Sequence, residues 1–457
     1  MIVTLSLALA WVPGVALAAI DGRRRAAGWF AVAALVAQLA ALGALTVLVL
    51  EDGPQELVAG SWPAGVGIRL RADALGTAFA AVSVAVLVAA VAAEVSDGVQ
   101  TRAFPALALL LATGLTGLFL TADVFSFYVF FELSMICAYG LTSIGGRRGQ
   151  EGAGLILAVV NLFGSFLFLL GIAALYHLTG TLEFDAVAER LAEVEPTSAA
   201  LIAVVFLVAF AVKLGLFPFH FWLPAVYATS RPAVAAILSG ALANIAAYGL
   251  LRFGGGLLPA ELELASTALA GLGGVSIGYG ALQAIGRRDT AEVLAYSAVG
   301  QAGYVVLAIA LGGAVGFAAA ATFAVANALT KALLFLSAGQ RGAVMALGFA
   351  AGALSVAGVP ATAGFVGKLA VIRTAVEDGG PVVVGLLVLG SALSFLYMFQ
   401  AYQHAVWRGE DADAVPSRGH VVAVCGLLAA TLVLGLWPEP LLAAGDQAAA
   451  AIGGTRP

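Results

Sequence analysis

The chain alternates between apolar runs of roughly 20 residues and short polar connections from its first residue to Trp437. A run of this length is long enough for a helix to cross the hydrocarbon core of a bilayer. We predict about fourteen such spans, near residues 1–20, 26–50, 73–95, 104–121, 123–143, 152–178, 198–218, 232–252, 265–286, 291–311, 314–338, 345–374, 380–404 and 419–437. The longest acidic connection, residues 179–197, is expected to form a short interfacial helix. The pattern therefore predicts an all-α polytopic membrane protein.

Two of the predicted spans are interrupted. Span seven carries Lys213 and then breaks in the sequence GLFPFHFWLP, where Pro218 and Pro224 remove backbone donors. Span twelve breaks at AGVPATAGF, just before Lys368. Paired broken helices at corresponding places indicate an internal repeat with a transport site at membrane depth. We expect spans four to eight and nine to thirteen to be the two halves, with Lys213 and Lys368 at matching positions.

Composition supports the membrane assignment and excludes several other classes. Hydrophobic residues make up 62% of the chain and charged residues 10%, whereas soluble domains carry about 25% charged residues. The net charge is −5, and no basic cluster extends beyond Arg23–Arg25, so nucleic acid is not implied. The two cysteines lie far apart, and no His, Cys or carboxylate residues show metal-ligand spacing. We therefore expect neither a metal nor a redox cofactor on this chain.

The distribution of arginine predicts the orientation in the membrane. The connections after odd-numbered spans hold twelve arginines, namely Arg23, Arg24, Arg25, Arg102, Arg147, Arg148, Arg231, Arg287, Arg288, Arg341, Arg408 and Arg418. The connections after even-numbered spans hold five, namely Arg69, Arg71, Arg190, Arg252 and Arg373. Cytoplasmic loops carry the excess of positive charge. Both termini are therefore expected on the outer face.

Lysine is distributed very differently from arginine. The chain has only three lysines, Lys213, Lys331 and Lys368, and each lies inside a strongly apolar segment. A charged amine at membrane depth costs at least ~2.5–3.5 kcal/mol, so such residues are retained mainly for function. Arginine stays protonated in proteins, whereas a buried lysine can release its proton. This partition predicts that the chain handles protons.

Glu132 is the carboxylate that we expect to act with Lys213. It lies in DVFSFYVFFELSMICAYG, with aromatic and aliphatic residues on both sides. Two interpretations remain open: an ion pair whose separation controls the protonation of Lys213, or a static structural pair. A buried ion pair is an inefficient way to gain stability, which favours the first interpretation.

The other lysines and two amides have competing interpretations. Lys331 lies in the middle of its span, whereas Lys368 could also extend its amine to the interface. Asn244 and Asn327 are amides inside apolar spans, where they could hold a water chain or simply bridge helices. We treat both lysines as proton-transfer candidates and both amides as candidates for the proton path.

Asp123 and the histidines complete the set of candidates. Asp123 opens a span, as Asp73 does, and could be a helix N-cap or part of the proton path, whereas a cap is favoured for Asp73. His220 lies inside the broken PFHFW element and could titrate within a cavity. The remaining histidines, His177, His404 and His420, lie near span ends and are expected at the interface.

The motifs around these residues resemble those of the antiporter-like subunits of respiratory complex I and of Mrp-type cation/proton antiporters. The resemblance covers roughly residues 70–440 and rests on DVFSFYVFFEL, KLGLFPFHFWLP, PAVAAILSGALANIAAYGLLR, AYSAVGQAGY, NALTKALLFLSAG and GVPATAGFVGK, in family order. Within the family, GTLEFDAVAERL and the SxxQxGY pattern of Ser297, Gln301, Gly303 and Tyr304 resemble the D-type subunits of Mrp antiporters.

The resemblance implies a fold of fourteen helices with two inverted five-helix repeats and broken helices seven and twelve. It divides the chain into N-terminal helices one to three, a first repeat, a second repeat, and helix fourteen with a tail. The corresponding ranges are 1–103, 104–252, 253–404 and 405–457.

The chain departs from the family pattern at three positions. Asn244 replaces the usual lysine of LSGxxxK, Asn327 the histidine of NHALxK, and Tyr227 the histidine of WLPxAH. The family's glutamate and lysines are kept as Glu132, Lys213, Lys331 and Lys368. The resemblance thus implies a proton path that starts at Lys213, gated by Glu132. It would pass Asn244 and Lys331 and reach Lys368.

The function implied is proton translocation within a multi-subunit Na⁺(K⁺)/H⁺ antiporter of the Mrp type in a prokaryotic plasma membrane. Its partners would be the other subunits, protons, Na⁺ or K⁺, and the lipid bilayer. Two alternatives remain: a pumping subunit of a redox-driven complex, such as complex I or a membrane-bound hydrogenase, and a structural subunit that has lost conduction. A stand-alone transporter has less support, because the spans contain no recognisable small-molecule site.

Overall fold

The computed structural model describes residues 1–58, 67–144, 149–408 and 415–453. Two of the arginines used to predict orientation, Arg147 and Arg148, lie outside these ranges. The helices are α1 Ile2–Ala18, α2 Arg25–Asp52, α3 Ala74–Asp97, α4 Phe104–Leu120, α5 Val124–Ser143, α6 Gln150–Thr179, α7 Phe184–Leu191, α8 Pro196–Leu214, α9 Trp222–Thr229, α10 Pro232–Ala236, α11 Asn244–Gly249, α12 Pro259–Ile285, α13 Thr290–Leu311, α14 Gly313–Ser337, α15 Ala343–Ala357, α16 Ala363–Thr374, α17 Gly380–Tyr402, α18 Arg418–Leu436 and α19 Glu439–Gly453.

The apolar runs fold into helices, as predicted. Eleven helical segments among the described residues are long and apolar enough to cross a membrane, and three shorter apolar helices, α1, α4 and α15, accompany them. The total of fourteen spans and the inverted repeats stay predictions. The acidic connection forms the short helix α7, as expected.

The most buried segments lie at the centre of the bundle. In an 18-residue window of each segment, 94% of the residues are buried within Pro232–Leu257, 89% within Gly313–Ser337 and 83% within Thr290–Leu311. These segments carry Asn244, Lys331 and Ser297, respectively. The core of the bundle therefore contains polar side chains that are buried among the central helices.

Both predicted interruptions are present. Helix α8 ends at Leu214, one residue after Lys213, and is capped by Gly215 with φ +68°; the chain resumes in α9 after a short turn of 3₁₀ helix. Helix α15 ends at Ala357 and is capped by Gly358 with φ +82°, and α16 begins after the N-cap Thr362. Glycine adopts positive φ without strain. The two breaks thus place Lys213 just before one interruption and Lys368 just after the other.

The eighth span contains two segments of π helix, Ile237–Leu242 and Leu250–Leu257, on either side of α11. Single π turns inside α-helices are frequent at functional sites. Asn244 is the first residue of α11, so its amide follows directly on the first of these irregular segments.

Helices α12 and α13 pack with almost no space between their backbones. A Cβ atom at Gly280 would lie 2.5 Å from the backbone nitrogen of Gly300, and one at Gly303 would lie 2.4 Å from the carbonyl oxygen of Gly273. Small residues allow this close approach within membranes. The contact fixes α13, which carries Ser297, against α12.

Two elements outside the predicted spans were not foreseen. Strands β1 (Gln55–Val58) and β2 (Arg69–Ala72) form an antiparallel pair. The strand arginines Arg69 and Arg71 form salt bridges to Glu183 and Asp185 at the start of α7. The C-terminal tail forms α19, which packs against α14 and α3.

Candidate functional site

Lys213 is buried at the end of α8 and donates its hydrogen bonds to uncharged groups. Its ammonium nitrogen Nζ donates to the carbonyl oxygen of Asn161 at 3.0 Å and to Ser165 Oγ at 3.2 Å, both on α6. The same nitrogen lies 4.0 Å from the centre of the Phe131 ring. A lysine held by neutral oxygens and an aromatic face can exchange its proton without first breaking an ion pair.

Glu132 interacts electrostatically with Lys213, but no salt bridge within 4.0 Å joins these two described residues. The Glu132 side chain is half-buried, on the side of α5 where Val129 and Ile136 are exposed. Its Oε1 atom is buried and accepts no hydrogen bond. The structure therefore brings the predicted pair into one region and shows the two side chains apart.

A small cavity adjoins Lys213 on the side that faces the eighth span. Its volume is about 20 Å³, and Asn161, Tyr227, Leu238 and Ala243 are among the residues that line it. A cavity needs roughly 10–15 Å³ to hold one water molecule. The cavity therefore has room for a single water between Lys213 and the residue that precedes Asn244.

Asn244 bridges two helices. Its Nδ2 atom donates to Ser83 Oγ on α3 at 3.0 Å and to the carbonyl oxygen of Gly240 at 3.0 Å. Tyr227 is also buried, and its hydroxyl donates to the carbonyl oxygen of Leu238 at 3.2 Å. Among the hydrogen bonds of the described chain, none joins Asn244 to Lys213 or to Lys331.

Lys331 is fully buried in α14. Its Nζ atom donates to Ser297 Oγ at 2.8 Å and to the carbonyl oxygen of Leu294 at 3.2 Å, both on α13. These are again neutral oxygens. The shorter of the two distances matches that of charge-assisted hydrogen bonds, which are short and strong.

Lys368 is buried in the middle of α16, where its amine lies near side chains of α13 and α17. Its Nζ atom lies 3.5 Å from Ser394 Oγ and 4.5 Å from the centre of the Tyr304 ring. The residue is 2% exposed, so its amine does not extend to the interface. The alternative that Lys368 places its charge in the polar region is therefore inconsistent with the structure.

Three hydroxyl groups that the sequence interpretation passed over lie between Lys331 and Lys368. The Tyr397 hydroxyl is 3.1 Å from Ser297 Oγ and 3.2 Å from Ser394 Oγ. Gln301 adds a hydrogen bond of 3.4 Å to the same hydroxyl. Ser394 and Tyr397 are three residues apart and therefore share one face of α17, a signal that the sequence contained.

The remaining candidates are spread over the molecule. His220 packs against Phe217 and Tyr279, and its buried Nδ1 atom has no hydrogen-bond partner. Asn327 is half-buried one helical turn before Lys331. Within the described ranges, neither residue shares a hydrogen bond with the buried lysines.

Asp123 has the geometry of a helix cap. Its carboxylate accepts a hydrogen bond of 2.5 Å from the backbone nitrogen of Ser126 and thereby caps α5. Burial raises the pKa of Asp123, and the hydrogen bonds from Ser126 oppose that shift. Asp73 caps α3 in the same way and also forms a salt bridge of 2.6 Å to Arg252.

A buried ionic cluster joins α3 to α10 and α18, although sequence reasoning placed His420 at the interface. Nδ1 of His420 lies 2.5 Å from an Asp97 carboxylate oxygen, and Nε2 lies 2.8 Å from the carbonyl oxygen of Leu336. One turn away, Glu94 forms a salt bridge of 2.7 Å to Arg231. His420 is 2% exposed, so its side chain is buried between helices in the first turn of α18.

No group of three or more His, Cys, Asp or Glu side chains within the described ranges is arranged to hold a metal ion. The fold and the site together define a polytopic membrane protein whose three lysines are buried among neutral hydrogen-bond partners. Such intramembrane ionisable groups mark ion and proton pathways.

Comparison with known proteins leads to the same class. The model of the NADH:quinone oxidoreductase/Mrp antiporter transmembrane family matches residues 121–394. The D subunit of the Na(+)/H(+) antiporter of Alkalihalophilus pseudofirmus is 31% identical over 425 residues, which is 87% of this chain and 86% of that protein. The N subunit of the NADH-quinone oxidoreductase of Desulforudis audaxviator is 32% identical, covering 84% of this chain and 81% of that protein. One polypeptide in the structure of the Mrp complex from Dietzia sp. matches with a TM-score of 0.88 at 26% identity, covering 98% of both chains.

This chain belongs to the NADH:quinone oxidoreductase/Mrp antiporter family of membrane subunits. The resemblance drawn from the sequence motifs is confirmed.

Proposed function

We propose that this protein is the proton-translocating subunit of a multi-subunit Na⁺(K⁺)/H⁺ antiporter of the Mrp type, located in a prokaryotic plasma membrane. The observation that carries the proposal is the state of the three lysines: all are buried, and the hydrogen bonds of each go to neutral oxygens. The partners are the other subunits of the complex, protons, the coupling Na⁺ or K⁺, and the lipid bilayer.

In the proposed path, Lys213 exchanges protons in the first half and Glu132 regulates it. When the Glu132 carboxylate approaches, its negative charge stabilises the protonated amine. When it withdraws, the amine keeps only its hydrogen bonds to the Asn161 carbonyl oxygen and Ser165 Oγ and its contact with the Phe131 ring. Movement of the Glu132 side chain therefore changes the tendency of Lys213 to give up its proton.

From Lys213 the proton continues through the central residues to the second half. The cavity beside Lys213 supplies space for a water molecule on the way to Asn244. Lys331 and Lys368 follow, with Asn327 and His220 as further candidates near the path. Because like charges repel, a proton on Lys331 disfavours a second proton on Lys368, which couples the two steps.

The proposed halves correspond to residues 104–252 and 253–404, preceded by the helices of residues 1–103 and followed by residues 405–457. The first half holds Lys213, and the second half holds Lys331 and Lys368. The arginine distribution supports cytoplasmic placement of the connections after odd-numbered spans, with both termini outside.

The test uses the complete complex, purified and reconstituted into liposomes with a pH-sensitive dye inside. Lys213→Ala should abolish proton flux driven by a Na⁺ or K⁺ gradient. Arg373→Ala is the matched control, because this cation is 76% exposed and its salt bridge joins it to Glu377 on the same helical stretch. Undiminished flux in the Lys213 variant, with the complex intact, would overturn the assignment.

One second candidate is favoured by a specific observation. The sequence identity to an NADH-quinone oxidoreductase subunit is 32%, close to the 31% identity to an antiporter subunit. In a redox-driven complex the same lysines would transfer protons, and electron transfer would supply the energy instead of a cation gradient. Neighbouring genes separate the two: iron–sulfur and quinone-module subunits indicate a redox complex, and small cation-antiporter subunits indicate the antiporter.

The other alternative is a structural subunit that has lost conduction, and it draws support from Asn244, which acts as a bridge between helices. In that case Glu132→Gln should leave the transport of the assembled complex unchanged, while removal of the whole subunit prevents assembly.

A further inference from the structure

Lys331 and Lys368 are joined by an unbroken series of hydrogen bonds between side chains from four helices. From Lys331 the series runs to Ser297 at 2.8 Å, to the Tyr397 hydroxyl at 3.1 Å, to Ser394 at 3.2 Å and to Lys368 at 3.5 Å. Helices α14, α13, α17 and α16 contribute these groups. We call the three hydroxyls of Ser297, Tyr397 and Ser394 the hydroxyl relay.

The hydroxyl relay is shielded from bulk water. Ser297 is 0% exposed, Tyr397 1% and Ser394 2%. A hydroxyl group is both a donor and an acceptor, so it can take up one proton while it releases another. This property distinguishes the relay from the Asn244 amide, whose nitrogen can only donate.

We propose that the hydroxyl relay passes a proton directly between Lys331 and Lys368, with Tyr397 as the central member. This inference rests on the proposed function, since it assumes that both lysines lie on the proton path. No metal, cofactor or redox partner is needed, because each step exchanges one O–H or N–H bond for another.

Each step of the transfer breaks one bond to hydrogen and forms another. An N–H bond of the Lys331 ammonium breaks and an O–H bond forms at Ser297, which gives its own proton to Tyr397. Tyr397 gives its hydroxyl proton to Ser394, and Ser394 gives its proton to the neutral amine of Lys368. Lys331 ends neutral and Lys368 ends as an ammonium.

The hydroxyl orientations must be suitable before transfer and must be restored afterwards. The Tyr397 hydroxyl donates to Ser297 or to Ser394, so its hydrogen has to lie towards Ser394, and the Ser297 hydrogen has to turn towards Tyr397. Ser394 Oγ also donates to the carbonyl oxygen of Gly390 at 2.7 Å, so its hydrogen has to turn from that carbonyl towards Lys368. Rotation of a side-chain hydroxyl breaks one hydrogen bond of modest net energy, so the cost of reorientation is small. The relay can therefore be reset without a change in the backbone.

A neighbouring tyrosine provides a natural control. Tyr304 also lies beside Lys368 and is 1% exposed, but its hydroxyl donates to the carbonyl oxygen of Leu387 at 3.0 Å and lies 3.2 Å from Ser391 Oγ. It contacts Lys368 through the face of its ring. Removal of this hydroxyl leaves the ring contact and the hydroxyl relay in place.

The experiment compares Tyr397→Phe with Tyr304→Phe in the reconstituted complex. Proton-transfer groups in well-placed positions contribute roughly 10²–10⁴-fold to rate, so Tyr397→Phe should reduce cation-driven proton flux about 100-fold. Tyr304→Phe should change it by less than about twofold, because the lost hydroxyl is not part of the relay. Equal flux in the two variants would overturn the relay.

Two variants of Ser394 distinguish a role in proton transfer from a role in packing. Ser394→Ala should lower the flux as Tyr397→Phe does, and Ser394→Thr should restore it, since threonine keeps the hydroxyl. Loss of flux in Ser394→Ala that threonine does not rescue would indicate a packing effect and would contradict the relay.

Measurement of Lys368→Ala distinguishes an incorrect relay from an incorrect proposed function. If Lys368→Ala abolishes the flux and Tyr397→Phe does not, the lysine path stands and water carries the proton instead of Tyr397. If Lys368→Ala leaves the flux unchanged, the lysine path itself fails and the relay fails with it.

Discussion

The salt bridge between Arg231 and Glu94 predicts a large, specific loss of stability when Arg231 is removed. The pair links the start of α10 to the last turn of α3, with an N–O distance of 2.7 Å. The side chains are only 14% and 6% exposed, respectively, so water cannot replace the arginine around Glu94. Arg231→Ala leaves a buried carboxylate without its cation.

Breaking a buried ion pair by removing one partner costs about 3–5 kcal/mol. The exposed pair Arg373–Glu377 has side-chain exposures of 76% and 45% and joins residues four apart. Such pairs contribute about 0.3–0.5 kcal/mol. Arg231→Ala should therefore reduce the free energy of unfolding roughly tenfold more than Arg373→Ala does.

The assay is unfolding of the detergent-solubilised subunit, followed by loss of the monodisperse peak on size exclusion after heating or after addition of denaturant. A double variant, Arg231→Ala with Glu94→Ala, should recover part of the loss because no uncompensated charge remains. The reasoning is refuted if Arg231→Ala and Arg373→Ala destabilise equally, or if the double variant is less stable than Arg231→Ala alone.

Three further predictions follow from local geometry. Ala361 is the one non-glycine residue with positive φ in the described chain (+71°), and Ala361→Gly should stabilise the broken twelfth span by about 1 kcal/mol, measured by thermal unfolding. Asp123→Asn keeps a good N-cap and removes a carboxyl group whose pKa is raised by burial, so it should increase stability at neutral pH. Because the pKa of Asp123 is raised in the folded state, ionisation of this carboxyl destabilises the fold only when the pH is above its ordinary value of 3.8. The stability gained in Asp123→Asn should therefore vanish at or below that pH. A gain in stability that does not depend on pH would contradict this reasoning. His420→Ala removes bonds to Asp97 and Leu336 that hold α18 against α3 and α14, and should destabilise the fold by about 2–4 kcal/mol; an effect below about 0.5 kcal/mol would contradict the assigned contacts.

The large features of this fold could be predicted because they depend on local sequence. Apolar runs specify membrane helices, and Gly215 and Gly358 mark the two breaks where the backbone needs positive φ. The burial of Lys213 and Lys331 followed from their apolar surroundings, whereas for Lys368 the sequence also allowed an amine at the interface. Each of these signals lies within a few residues of the feature that it predicts.

The detailed connections could not be predicted because they join helices far apart in sequence. Ser297 and Tyr397 are 100 residues apart, and nothing in either segment indicates that the other lies beside it. Asp97 and His420 are 323 residues apart, so the sequence near either residue does not indicate their contact. Glu132 is a similar case. Its charge indicated Lys213 as a partner, but the sequence did not show that no salt bridge joins the two described side chains.

The C-terminal helix α19 has a pattern of apolar residues in the sequence that predicts a helix. Leu441, Ala448 and Ile452 recur at helical spacing in the tail, and all three are buried. Apolar residues at intervals of three and four indicate an amphipathic helix. The tail is less apolar than the membrane spans before it, so its helical pattern is less evident.

The most direct test of the central claim is the cation-driven proton flux of the reconstituted complex that carries Lys331→Gln. Glutamine can still donate a hydrogen bond to Ser297, but it cannot take up or release a proton at physiological pH. If the buried lysines carry protons, the flux should fall to the level of liposomes without protein, although the complex assembles normally. Flux equal to that of the unaltered complex would contradict the account.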